Sequence, residues 1–153
     1  RFNKEGGMTR EVISHFIFFS ERVLGLLELK WAKVIYPKDD LLCETDVLAR
    51  LETRDGKCVN ILASVGGAQP DRQEMTVRGT AKSRRISEFY KDSESNGMEF
   101  ISLREEPKDP RAVSLKAQLD DLEKVYNGHP NKLATVDEAL RVQVLIESIL
   151  ASK

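Results

Sequence analysis

Glu11 and His15 stand out first: a carboxylate and an imidazole four positions apart, which become neighbours on one face if the segment is helical. A carboxylate beside an imidazole fixes the ring's orientation and favours its charged form, bringing its titration into the working pH range. Such a pair is a general acid/base unit. Phe18 and Arg22 continue the same strip at helical spacing. The ordinary meaning of the pattern is a surface contact worth about 0.2–0.5 kcal/mol. Here the pair interrupts an apolar boundary, where a polar group is costly without a purpose.

The other reactive residues point less far. His129 precedes Pro130 after Gly128 and reads as a surface or capping residue. A metal site needs several converging ligands, and two distant histidines without a Cys-x-x-Cys do not supply them. Gly66-Gly67 and Val77-Arg78-Gly79-Thr80 lack the spaced glycines and following helix of a phosphate loop. Arg84-Arg85 reads as part buried stem and part solvated charge, and Phe16, Phe18 and Phe19 as core. No Gly-x-Ser-x-Gly elbow presents a nucleophile.

The Glu11/His15 strip needs a helix, predicted over about Gly7–Leu24 and closed by Gly25 as a left-handed cap. Its expected apolar seam is Val12, Phe16, Phe19 and Val23, widened by Ile13 and Ile17, with Arg10, Ser14 and Glu21 facing solvent. Strands follow over Leu29–Tyr36, Thr45–Thr53 and Lys57–Val65. The second and third form a hairpin around Asp55-Gly56. A three-residue loop, Arg54-Asp55-Gly56, pairs Leu51 with Val59 and Ala49 with Ile61, placing both apolar sets on one face with Gly56 left-handed. Further strands are expected over Gln73–Arg78, Arg84–Tyr90 and Met98–Arg104, with Asn96-Gly97 as a second hairpin turn. Asp109-Pro110 opens a helix whose apolar face is Leu115, Leu119, Leu122 and Tyr126. Thr135 and Glu138 form a capping box for a last helix that buries Ala139, Val142, Ile146 and Ile149. The expected fold is α+β: one mostly antiparallel open sheet with helices packed on one face.

The chain of 153 residues suits one domain, 1–153, with a single core. Its 24 basic and 25 acidic residues lack the basic excess of a nucleic-acid binder. No apolar run approaches the ~20 residues of a membrane span, and the polar stretch Arg1–Arg10 is unlike a signal peptide. The register sets Cys58 opposite Glu52 and away from Cys43, so two free thiols and a reducing, cytoplasmic setting are expected. Arg1 in place of Met suggests a removed segment or a piece of a longer chain.

Gly6-Gly7-x-x-x-Glu11-x-x-x-His15 resembles the segment that opens the C-terminal domain of the glucose–fructose oxidoreductase/inositol dehydrogenase (Gfo/Idh/MocA) family. In that family a glycine pair is followed by Asp and, four residues on, by His. The likeness continues through Leu24-Gly25, the Asp55-Gly56 hairpin, Val77-Arg78-Gly79-Thr80 and Ala139-Leu140-Arg141-Val142-Gln143, covering most of the chain. The resemblance implies an NAD(P)-dependent oxidoreductase acting on a sugar, inositol or related polyol. It implies His15 as the acid/base residue and Glu11 in the place of the family Asp. It also implies a homo-oligomer built through the open face of the sheet. Phe18, Ile13 and Ala81-Lys82-Ser83 depart from the family pattern. The family's Rossmann domain, with its glycine-rich turn and its Glu-Lys-Pro lysine, has no counterpart in this sequence. The chain therefore reads as a C-terminal substrate-binding and oligomerisation domain, with NAD or NADP bound mainly by a domain outside it and no cofactor, metal, nucleic acid or membrane expected here.

Two other functions compete with this reading. One is a freestanding interaction module in which Glu11 and His15 are structural. The other is a small cofactor-free isomerase or hydrolase using the pair within a closed pocket. The hairpin face opposite the core, with Leu48, Arg50, Cys58, Asn60 and Leu62, has the mixed polarity of a wet interface.

Overall fold

The structure is a computed structural model and describes residues 5–39 and 41–152; Arg1 lies outside the described residues. A π-helical turn, Thr9–Ile13, runs into α1 (Ser14–Leu24). Then come β1 (Leu27–Ile35), β2 (Asp46–Thr53), β3 (Cys58–Ser64), β4 (Glu74–Arg78), β5 (Ser83–Ser87), β6 (Lys91–Ser95) and β7 (Ile101–Ser102). α2 (Pro110–Tyr126) and α3 (Val136–Leu150) follow. The chain divides into two compact units, one running up to Gln69 and resuming at Ala134, the other Pro70–Leu133.

The first unit holds an antiparallel sheet in the order β1-β2-β3. The predicted hairpin register is present, with Leu51 opposite Val59, Ala49 opposite Ile61 and Cys58 opposite Glu52. Gly56 takes φ +85°, as the three-residue loop demands. Both cysteines are free thiols, Cys43 buried and Cys58 exposed. β1 carries a bulge the alternation does not announce: Leu29 faces Leu51, but Trp31 faces Arg50, so Lys30 is an extra residue. The slip changes the phase of the strand. Leu27 and Leu29 point to the core before it, Ala32 and Val34 after it, and Trp31 and Ile35 are exposed.

The core lies between that sheet and the two helices of the unit. Ile13 and Ile17 meet Val142, Ile146, Ile149 and Leu150 over Val47, Ala49 and Leu51. The expected seam of α1 is therefore corrected by about one residue, or ~100° of helix. Thr9, Ile13, Ile17 and Ser20 are buried, while Phe19 is 37% and Val23 50% exposed. The expected solvent strip is also corrected. Arg10 pairs with Glu147 of α3, Ser14 Oγ donates to Arg10 O at 2.7 Å, and the Glu21 side chain is only 7% exposed. α3 begins with the predicted capping box, Thr135 and Glu138 bonding reciprocally, and buries the predicted face except Ala139, which is exposed. Gly25 ends α1 with φ +108° but ψ 175°, an extended rather than left-handed cap, its N–H donating to Glu21 O at 3.0 Å.

The second unit holds an antiparallel meander, β4-β5-β6-β7. The class is α+β with antiparallel pairing, as expected, but the strands form two sheets instead of one. Arg84–Tyr90 is also not one strand. β5 stops at Ser87, and Glu88 (φ +51°) and Phe89 (φ +64°) turn the chain into β6. That turn is built without glycine, which is why its signal is missing from the sequence. Asn96-Gly97 connects β6 to β7 as predicted, with Gly97 at φ +114°. The Arg85 guanidinium lies 3.7 Å from the centre of the Phe100 ring. α2 is capped by Asp109, whose side chain accepts from Ala112 N at 3.0 Å, and buries none of its residues.

Candidate functional site

The helix that carries Glu11 and His15 starts irregularly. Ser14 N–H reaches back to Thr9 O, five residues, where an α-helix reaches four. Single π turns of this kind insert one extra residue and occur often where side chains must be re-aimed. The turn is held from below by Glu44, two residues ahead of β2. Its Oε1 accepts from Thr9 N–H at 2.7 Å and from Thr9 Oγ1–H at 2.6 Å, and the side chain is buried. It satisfies a donor that a helix start otherwise leaves orphaned. Gly7 fits against the same carboxylate. A Cβ there would stand 2.5 Å from Glu44 Oε2 and 2.9 Å from Cys43 Cβ, and the backbone is at φ +105°.

Glu11, within the π turn, and His15, in the first turn of α1, both project outward and are exposed. The rest of the predicted strip follows. Phe18 is half-buried beneath the Arg22 guanidinium, 4.6 Å from its ring centre. Arg22 is gripped by Glu138 of α3 through Nε–Oε1 and Nη2–Oε2 bonds of 2.9 Å each. That grip and the Thr135 backbone N–H push the Glu138 carboxyl down to about 2. At the other end Arg10 Nε and Nη2 each lie 2.8 Å from Glu147, holding that carboxyl below its usual range. Two bidentate pairs thus bracket His15 along the length of the helix. Beside the pair, Val12 and Phe16 are half-buried and Phe19 and Val23 exposed, so an apolar strip runs next to the imidazole.

A shallow depression on the α1–α3 flank is lined by Phe18, Glu21, Arg22, Leu26, Glu138 and Arg141. Its arginines already face Glu138 and Glu21, which leaves little for an anion. His129 belongs to the second unit, where its N–H donates to Lys124 O at 2.8 Å. Gly79 is a turn residue: its N–H donates to Lys82 O, and a Cβ would stand 2.5 Å from that oxygen. Among the described residues no group of three or more His, Cys, Asp or Glu is placed to hold a metal, and no helix is long and apolar enough to cross a membrane. Sequence reasoning missed Glu44 and the Arg22–Glu138 grip. Each joins residues 35 or more positions apart, and neither has a local signature.

The sequence matches no protein-family model and no curated protein. Solved structures do share its architecture. A dehydrogenase (MviM) from Clostridium difficile superposes with a TM-score of 0.73 at 11% identity, over 93% of this chain and 46% of that one. KijD10, a 3-ketoreductase from Actinomadura kijaniata in complex with TDP-benzene and NADP, gives 0.70 at 18% identity, over 96% and 47%. The fold is that of these oxidoreductases. The WlbA dehydrogenase from Bordetella pertussis, in complex with NADH and UDP-GlcNAcA, adds a third example at 0.67 and 16%, over 94% and 44%. They are oxidoreductases of the type the sequence resembles. The chain spans just under half the length of each.

Proposed function

We propose that this chain is the substrate-side half of an NAD(P)-dependent oxidoreductase acting on a sugar, inositol or related polyol, with His15 as the acid/base residue and Glu11 as the carboxylate that orients it. One observation carries the reading: in a fold shared with solved oxidoreductases, His15 is exposed on the first helix, one turn after an exposed Glu11. In this role the imidazole exchanges a proton with the substrate oxygen while its carbon is oxidised or reduced. The complexes of KijD10 with TDP-benzene and of WlbA with UDP-GlcNAcA make nucleotide-linked sugars the first substrate class to test.

The described residues offer no Rossmann-type site for the dinucleotide. Every strand pair among the described residues is antiparallel, so none forms the strand–helix–strand unit whose helix N-terminus takes a pyrophosphate. Its binding is assigned to the part of the enzyme outside this chain. The strip of Val12, Phe16, Phe19 and Val23 is the surface on which that part would close over His15. A cofactor-free enzyme would need a pocket around the pair, and the exposure of both residues weighs against it.

The test uses the protein encoded by the complete reading frame, followed by nicotinamide absorbance against keto and hydroxy sugar nucleotides. His15→Asn is expected to lower kcat by about 10²–10⁴-fold with the affinity for NAD(P)H unchanged. Undiminished kcat would remove His15 from the chemistry, and absence of nicotinamide binding by the complete protein would overturn the enzyme class.

A further inference from the structure

Glu44 is a carboxylate only 1% exposed, at the junction of sheet and helix, and the proton-transfer roles above make no use of it. Its backbone is fastened by the sheet: the next residue, Thr45, donates its N–H to Ile35 O at 2.8 Å and accepts from Val65 N–H at 2.9 Å. Its side chain leaves the sheet and ends at the first residue of the π turn, where one oxygen takes both donors of Thr9. Thr9 itself is fully buried. Four residues on, Ile13 is buried in the core between helices and sheet. The turn closed by the Ser14 N–H on Thr9 O holds four residues, Arg10-Glu11-Val12-Ile13, one more than an α-helical turn would hold, and Glu11 is among them.

We infer that Glu44 is the positioning residue of the Glu11/His15 site, and that Gly7 ahead of it provides the space its carboxylate needs. Pulling Thr9 down onto the sheet fixes where the turn begins, and the core fixes where it ends. The direction of the Glu11 side chain relative to His15 is then set from both sides. Arg10 assists through Gly6 O at 3.1 Å and Glu147, but that pair is exposed and contributes less rigidity than a buried one. Gly7 follows from the same geometry. Any side chain there would press against Glu44 Oε2, so the second glycine of a motif found in sequence from its place ahead of a histidine is explained by a glutamate far along the chain. Glu44 touches neither substrate nor the reacting atoms in this account, so its influence is exerted entirely through Thr9.

The inference rests on the proposed role of His15 for its catalytic meaning and stands on its own for its geometry, and the experiment separates the two. In the protein from the complete reading frame, selective ¹⁵N-threonine and ¹³C-histidine labelling reads the Thr9 amide and the His15 ring, the Thr9 signal being identified by its loss in Thr9→Val. Glu44→Gln is expected to move the Thr9 amide upfield, to shift the His15 ring signals, and to lower kcat about tenfold while KM and NAD(P)H affinity hold. Glu44→Asp should recover only part of that kcat. Thr9→Val keeps the volume and removes one of the two hydrogen bonds, so it should shift the His15 ring signals and lower kcat in smaller measure even if Glu44→Gln folds poorly. Shifts at Thr9 and His15 with no effect of His15→Asn on kcat would uphold the positioning and refute the catalytic assignment. His15 ring signals and kcat both unmoved, whether Glu44→Gln is folded or Thr9→Val stands in for it, would overturn the inference.

Discussion

Gly7 and Gly97 have nearly the same backbone angle, φ +105° and +114°, yet they answer to different constraints. At Gly97 a Cβ meets nothing within 4 Å, so Gly97→Ala should cost only the backbone penalty of about 1–2 kcal/mol. At Gly7 the same methyl also strikes Glu44 Oε2 and Cys43 Cβ, which adds about 1–3 kcal/mol of overpacking. Urea unfolding of the two variants should therefore differ, Gly7→Ala being the weaker fold; equal midpoints would count against the packing at Gly7. Glu138 supplies a second test, in pH. Its carboxyl is held at about 2 against an ordinary 4.5, chiefly by Arg22, so its contribution to stability is complete above about 4.5 and is lost as pH falls toward 2. The difference in urea midpoint between the parent and Glu138→Gln should shrink over that window and stay level from pH 5 to 7. The placing of Glu11 and His15 along one helical segment was legible in sequence from their spacing of four. Glu44 was not, because a lone glutamate after Leu41-Leu42-Cys43 gives no sign of a partner 35 residues back.

Helix and strand identities that rest on local chemistry were readable, and those that rest on a break in local chemistry were not. The Thr135–Glu138 box and the Asp109 cap lie within four residues of what they bond, and both are formed. The hairpin register followed from turn length and the two apolar sets. The bulge at Lys30 has no composition of its own, and it alone sends Trp31 and Ile35 outward. The core face of α1 was misjudged because its aromatic residues outweigh Ile13, Ile17 and Ser20 in apolar size, although the latter are buried. The turn at Glu88-Phe89 holds two non-glycine residues at positive φ, which costs about 1–2 kcal/mol each. Glu88→Gly should relieve one of these and stabilise the second unit by about 1 kcal/mol, the exposed ion pair to Lys91 offsetting little. Thermal unfolding measures it, and a lower midpoint would mean that Glu88 contributes more than its ion pair.

The sheet of the first unit has a broad face turned away from that unit's core. The outer face of β1-β2-β3 presents Trp31, Ile35, Leu48 and Leu62, the last 86% exposed, around a polar centre in which Arg50 donates to Glu52, Asn60 and Cys58 Sγ. A second copy of the chain suits this mixed face, and the protein is expected to be at least a dimer by light scattering, with Leu62→Glu shifting it toward monomer. A parent that stays monomeric at high concentration would refute the pairing.

The first unit is split in sequence: it leaves off at Gln69 and resumes at Ala134. During synthesis the β1-β2-β3 sheet and α1 emerge well before α3, which brings Val142, Ile146, Ile149 and Leu150 to their core. At about 5–20 residues per second the interval is on the order of ten seconds. Through it the faces of Val47, Ala49 and Leu51 wait uncovered beside a growing chain, and a ribosome that stops short of α3 releases a sheet without its lid. The arrival of α3 thus decides whether α1 and the β1-β2-β3 sheet stay soluble.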